Sequence, residues 1–166
     1  MKQPFVHPMP NLEGLTTRLV RADLEFVICG GLAALLHGAS MFTRDIDIAC
    51  RMDRGNVRKI FNAVADLKPV HRMTPARIPF TEEQATQSDF ENIHLSTDLG
   101  QLDCLGEVKG IGGYDECLTD LQPVDIGGTA VRILSLGATI AAKRAMGRPR
   151  DLQTAAELET IRTKLI

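Results

Sequence analysis

Phe26-Val27-Ile28-Cys29-Gly30-Gly31-Leu32-Ala33-Ala34-Leu35-Leu36-His37-Gly38, followed by Thr43-Arg44 and Asp45-Ile46-Asp47-Ile48-Ala49, is the stretch that decides how this chain folds. Phe26 to Cys29 are apolar and rich in aromatic and β-branched residues. They stop at a glycine pair, which predicts a buried strand running into a tight turn. Leu32 to Leu36 are helix formers, so Gly30 and Gly31 open a helix, and Gly38 stands where a left-handed cap would end it. A strand ending in two glycines at a helix N-terminus leaves backbone N–H groups uncovered by side chains, which suits a phosphate.

Asp45-Ile46-Asp47-Ile48-Ala49 alternates strictly. As a strand it sends Ile46 and Ile48 into the core and projects Asp45 and Asp47 from the opposite face. Two carboxylates side by side repel, and a cation between them relieves the repulsion. Magnesium fits, because it takes one or two protein carboxylates and fills its octahedron with water and phosphate oxygens. The plainer alternative is the wet side of an edge strand, since Asp-x-Asp alone is common.

Strand, Gly-Gly, helix and then Asp-x-Asp on the next strand resembles the signature of the DNA polymerase beta type nucleotidyltransferase superfamily. Gly30-Gly31-Leu32-Ala33-Ala34 with Thr43-Arg44-Asp45-Ile46-Asp47 is most similar to its small prokaryotic members. Those include minimal nucleotidyltransferases and the nucleotidyltransferase toxins of abortive-infection systems. The resemblance implies an α/β fold: a mixed, twisted sheet with helices packed on one side and a carboxylate cluster on an open face. It implies magnesium-dependent transfer of a nucleoside monophosphate from a nucleoside triphosphate to a hydroxyl or phosphate acceptor, on protein, RNA or a small molecule. Asp45 and Asp47 would hold the metal, and Gly30, Gly31, Thr43 and Arg44 would meet the triphosphate. Met41 stands where such proteins often carry an arginine, which removes one phosphate contact. The alternative is a non-catalytic or partner-modifying member of a toxin–antitoxin pair with the same fold.

At 166 residues the chain is expected to form one domain over 1–166, large enough for a core without staples. The net charge of −2, with both signs interspersed, excludes a global basic field for long nucleic acids. Cys29, Cys50, Cys104 and Cys117 show no Cys-x-x-Cys spacing, and the first three fall in expected strands as small hydrophobes. Met1 to Pro10, broken by Lys2, Pro4, Pro8 and Pro10, has no apolar core for a secretory leader. A cytoplasmic protein is expected. Phe26 to Thr43 is uncharged, yet Gly-Gly, His37, Gly38 and Ser40 make it a poor membrane span.

Leu12, Leu15, Leu19 and Val20 give Pro10–Arg21 helical spacing. Asp53 is placed to cap a helix running to Leu67, with Val57, Ile60, Phe61 and Val64 inward. Arg51, Arg54, Arg58 and Lys59 near its start read as a solvated charged face, although any beside the Asp pair would meet a triphosphate. Met73 to Asn92 is loosely patterned, with one capping-box helix at Thr81-Glu82-Glu83-Gln84, and is the expected seat of acceptor choice. Asn92 to Val108 reads as a hairpin turning at Thr97-Asp98-Leu99-Gly100, with Leu102 and Cys104 inward and Asp103 beside Gln101. Gly110-Ile111-Gly112-Gly113 is a turn, and Tyr114–Leu121 holds a short helix. Pro123–Ile126 and Ala130–Leu134 form a second hairpin across Gly127-Gly128. A helix over Leu136–Met146 ends at Gly147, and the last carries Leu152, Ala155, Leu158, Ile161 and Leu165 on one side.

The resemblance also implies a third carboxylate from a later strand. Leu102-Asp103-Cys104-Leu105 matches that pattern, making Asp103 the third ligand or general base, with Glu107 as the alternative. It likewise implies that Lys143 and Arg148 bind phosphate, with Asp151 orienting them. Helix-end electrostatics alone also account for Lys143 and Asp151. His37 is expected to finish a helix, and the sequence gives His94 no partner.

Overall fold

Asp45–Ala49 is the middle strand of a seven-stranded sheet. The computed structural model describes residues 10–165, so the leader reading of the first nine residues lies outside it. The first half of the chain forms α1 (Leu12–Arg21), β1 (Val27–Cys29), α2 (Gly30–Leu36), β2 (Asp45–Ala49), α3 (Arg54–Val64), β3 (Val70–His71) and α4 (Glu82–Gln87). There follow β4 (Asn92–Thr97), β5 (Gly100–Leu105), β6 (Glu107–Val108), β7 (Gly112–Gly113) and α5 (Tyr114–Cys117). The chain ends with β8 (Leu121–Ile126), β9 (Thr129–Leu134), α6 (Leu136–Met146) and α7 (Pro149–Lys164). The strand order is β3-β4-β5-β2-β1-β9-β8, while β6 and β7 pair separately. β2 runs parallel to β5 and antiparallel to β1, and β1 runs parallel to β9, so the sheet is mixed.

The alternation of β2 fixes its two faces. Ile46 and Ile48 are fully buried and join Ile28, Leu102, Cys104, Ile93, Leu95 and Ile133 from neighbouring strands. Leu15 and Leu19 of α1 and Val57, Ile60 and Val64 of α3 close over this layer. Burying a side chain of this size stabilises by roughly 1.5–3 kcal/mol, so this layer dominates the stability of the fold. On the other face Tyr114, Cys117 and Ala138 cover Val27, Cys29, Ala49 and Leu134, leaving the exposed halves of β2, β5 and β4 open beside them. A third cluster, Ala34, Ala39, Ile140, Ala155 and Leu158, seats α6 and α7 against α2.

Among the described residues four helices begin with a side chain that accepts a backbone N–H three residues on: Asn11, Asp53, Thr81 and Ser135. Each such cap stabilises by about 1 kcal/mol. α6 stops at Gly147, whose φ of +73° suits glycine, and Pro149 begins α7. His37 caps α2, and its Nε2 lies 2.8 Å from the Leu134 carbonyl.

Several apolar assignments differ from the periodic reading. Val20 is 40% exposed, Leu152 49% and Leu165 75%, while Asp151 turns inward in their stead. α7 packs through the small Ala155 and Leu158, so its inner stripe is narrower than five residues. Residues 72–79 are not loose: the His71 N–H donates to the Ile78 carbonyl at 2.8 Å, and Val70 bridges Pro79. All four cysteines are free and buried. Among the described residues no helix is long and apolar enough to cross a membrane.

Candidate active site

Asp47 and Asp103 are direct partners across the parallel β2–β5 pair, with Asp45 opposite Gln101 two residues earlier. The sheet therefore brings the three carboxylates together on its open face. One oxygen from each of Asp45, Asp47 and Asp103 lies within 4.8 Å of the others. Glu107 falls on β6, is exposed, and stands outside this group.

Crowded carboxylates resist losing their protons. Burial, then the charge of Asp103 and a hydrogen bond with it, then the charge of Asp45 push Asp47 up to about 7 from the ordinary 3.8. Burial and Asp103 also raise Asp45, against Arg72, Arg150 and Arg44.

The glycine pair does different work at its two positions. Gly30 has φ +63°, and a Cβ there would sit 2.0 Å from Asp47 Oδ2. Its bare backbone is thus needed first by the carboxylate above it rather than by a phosphate. A Cβ on Gly31 would touch Thr43 and Met41 at 3.1 and 3.2 Å. The Thr43 hydroxyl bridges both backbone groups of Asp45, fixing the entry to β2.

A cleft of about 600 Å³ opens beside Asp45 and Asp47, lined by Gly31, Thr43, Arg44, Lys143, Arg148 and Asp151 among others. These are the phosphate-site residues expected from the sequence except Gly30, which lines a smaller neighbouring pocket, and they are gathered from three segments. Arg150 joins them, and Arg44 lies over the Phe42 ring at 5.7 Å. Asp151 is 1% exposed. It accepts from Arg148 Nε at 2.5 Å and Nη2 at 3.2 Å, and from Lys143 Nζ at 3.5 Å. The Arg148 hydrogen bond, followed by the charge of Lys143, holds its carboxyl below the usual range despite burial. Lys143 and Arg148 are thereby fixed as a pair of cations facing the carboxylates.

Arg51, Arg54 and Lys59 pair instead with Glu25 and Asp115, with Asp89, and with Asp23, and neither they nor Arg58 line the cleft. Two residues the sequence reading missed stand on the far side of Asp103. Arg72 Nη2 donates to Asp103 Oδ1, and His94 Nδ1 lies 3.0 Å from the same oxygen. Among the described residues Arg72 Nε is buried without a hydrogen-bond partner.

The raised Asp47 carboxyl has a measurable consequence. Its contribution to stability is fully present below pH 3.8, where folded and unfolded chains both hold the proton, and is lost as pH rises through about 7. Wild type minus Asp47→Asn, measured as unfolding free energy without metal, should therefore fall between pH 4 and 7 by up to about 4 kcal/mol. A difference independent of pH would mean that Asp47 titrates normally.

No curated protein matches the chain in sequence. Among solved structures, a candidate nucleotidyltransferase from Thermotoga maritima superposes with a TM-score of 0.50 at 18% identity, over 93% of this chain and 89% of that one. At that identity the likeness concerns the fold. The family model described as aminoglycoside-2''-adenylyltransferase matches residues 11–158. The match spans both Asp-bearing strands and the Lys143–Asp151 junction, and with it this chain belongs to the aminoglycoside-2''-adenylyltransferase family, enzymes of the nucleotidyltransferase class.

Proposed function

We propose that the protein moves a nucleoside monophosphate from a nucleoside triphosphate to an acceptor hydroxyl, using Asp45, Asp47 and Asp103 to hold magnesium. The observation that carries this reading is the convergence of those carboxylates, with Asp47 driven up to about 7, beside a cationic cleft. Three clustered oxygen donors of excess negative charge fit a hard divalent cation. Magnesium bound there would neutralise the carboxylates and withdraw charge from the phosphoryl oxygens.

The remaining chemistry is assigned to side chains. Lys143 and Arg148, held by Asp151, would bind the triphosphate, and Arg44 and Arg150 would supply charge in place of the arginine absent at Met41. An acceptor oxygen then bonds to the α-phosphorus as its proton passes to water, the bond from that phosphorus to the bridging oxygen breaks, and pyrophosphate leaves. Arg72 already occupies one oxygen of Asp103, so Asp103 is better suited to completing the metal site through its other oxygen than to taking the acceptor's proton.

The family description names adenylyl transfer, so ATP is the first donor to test. Protein incubated with α-phosphate-labelled ATP, magnesium and cell extract should release pyrophosphate and label one acceptor class. Absence of both with all four triphosphates would defeat the reading. Lys143→Ala should raise the dissociation constant for ATP about tenfold, the equivalent of ~1.5 kcal/mol for a charge-assisted hydrogen bond. Calorimetry showing unchanged affinity would leave Lys143 only its helix-end role.

A further inference from the structure

The open face has a second cationic side, opposite the Lys143–Arg148 pair. Across the β4–β5 hairpin His94 stands opposite Asp103 and Ser96 opposite Gln101, so these side chains share the carboxylates' face. The Arg72 N–H continues the ladder to the His94 carbonyl at 2.9 Å, bringing Arg72 alongside. Arg77 Nη2 reaches the same strip at Ser96 Oγ, 3.0 Å away. The loop between them, Arg72-Met73-Thr74-Pro75-Ala76-Arg77-Ile78-Pro79, contains no acid. It is also pinned in shape: the Arg77 N–H donates to the Thr74 carbonyl, and Thr74 Oγ1 to the His71 carbonyl.

Three features indicate that this strip awaits an anion. Among the described residues Arg72 has a spare donor, since Nη1 meets only the Met73 thioether at 3.7 Å, a weak acceptor, while Nε is buried behind it without a partner. Arg77 is held at φ +48°, a left-handed conformation costly for arginine and kept where surroundings impose it. Met73 and Ile78 flank the two arginines at 67% and 46% exposure, offering apolar surface to a ring or sugar.

We propose that the acceptor carries a phosphate ester near its reacting hydroxyl, bound by Arg72 and Arg77, and that it is not a polycationic aminoglycoside. The proposal rests on the nucleotidyl-transfer reading above. In-line attack requires the acceptor to approach from the side opposite the leaving pyrophosphate. With the triphosphate along Lys143 and Arg148, that side is the Arg72–Arg77 strip. An aminoglycoside there would set ammonium groups against Arg77, whose guanidinium no carboxylate pairs among the described residues, and beside Arg72, which Asp103 already holds. A phosphate would meet donors suited to it. The chain's net charge of −2 favours a nucleotide-sized acceptor or the end of a strand over the length of a long nucleic acid.

The test is fluorescence anisotropy with the full chain and three probes: a 5′-fluorescein ribonucleotide trimer, its uncharged methylphosphonate analogue, and a fluorescein-labelled aminoglycoside. The trimer should bind and the analogue should not. Arg77→Asn, which removes the charge while tolerating positive φ, should weaken trimer binding about tenfold. Lys143→Ala should leave it within about twofold, which separates this strip from the donor cleft. Displacement by unlabelled nucleoside monophosphate would identify a small acceptor, and resistance to it a strand end; both keep the phosphate site. Tighter binding of the aminoglycoside than of the trimer, or no effect of Arg77→Asn, would overturn the proposal. Wild type and Arg77→Asn are also melted with ATP and magnesium. A wild type that gains no stability would remove the nucleotidyl-transfer reading separately, whatever the trimer does.

Discussion

Asp47→Asn is expected to reduce transfer to below about a thousandth of wild type while raising the melting temperature of the metal-free protein. The two effects share one cause. Asp47 is crowded by Asp103 and Asp45 and carries a carboxyl raised to about 7, so above neutrality its charge burdens the native state. An amide of the same shape removes that charge. At about 2–4 °C per kcal/mol for a chain of this size, a gain of several degrees should follow at pH 8. On the proposed function the same change also removes one of the three carboxylates that would hold magnesium. Wild type alone should then gain stability from magnesium and ATP together, because a ligand confined to the native state adds RT ln(1 + [L]/Kd). A melting series on wild type, Asp45→Asn and Asp47→Asn, with and without both ligands, checks this. Equal shifts in all three would take the carboxylates out of the site.

Asp151→Ala should be the most destabilising single change among the cleft residues. It would strip the counter-charge from Lys143, whose side chain is 12% exposed, and remove the carboxylate that Arg148 grips. Breaking a buried pair from one side costs about 3 kcal/mol or more, which is roughly a 10 °C fall here. Donor binding should weaken as well, since both cations lose their anchor. Adding Lys143→Met should recover part of the stability, by removing the stranded charge, but none of the binding. Denaturant midpoints for the two variants decide between this account and a mere helix-start charge, for which the loss would stay under about 1 kcal/mol.

The centre of the fold was legible because its signals are local. The strand, glycine pair and helix around Gly30, the alternation of Asp45 to Ala49, and the stop of α6 at Gly147 each depend on a few neighbouring residues. The second hairpin was similarly marked by Gly127-Gly128. His94 could have been found: with the turn at Thr97–Gly100, counting back along both strands sets it opposite Asp103. Arg72 could not. It reaches Asp103 only because two residues, Val70 and His71, pair with Ser96 and Leu95, and a two-residue strand carries no periodicity. The inward turn of Asp151 was equally hidden, since its burial depends on partners three and eight residues away along the junction rather than on any apolar spacing.

The direct pairing of Asp47 with Asp103 bears on how such proteins diverge. The distance between those two carboxylates is inherited from backbone hydrogen bonding between parallel strands, not from the identities of the side chains beneath. Core residues can therefore drift one for another without disturbing the spacing of the two carboxylates, so long as each strand keeps its count. A single residue deleted between Gly100 and Asp103 would do what dozens of conservative replacements do not, turning Asp103 inward and Leu102 or Cys104 outward. Lineages should thus tolerate heavy substitution in these two strands and almost no change in their length, and a deep mutational scan that includes single deletions would show that asymmetry directly.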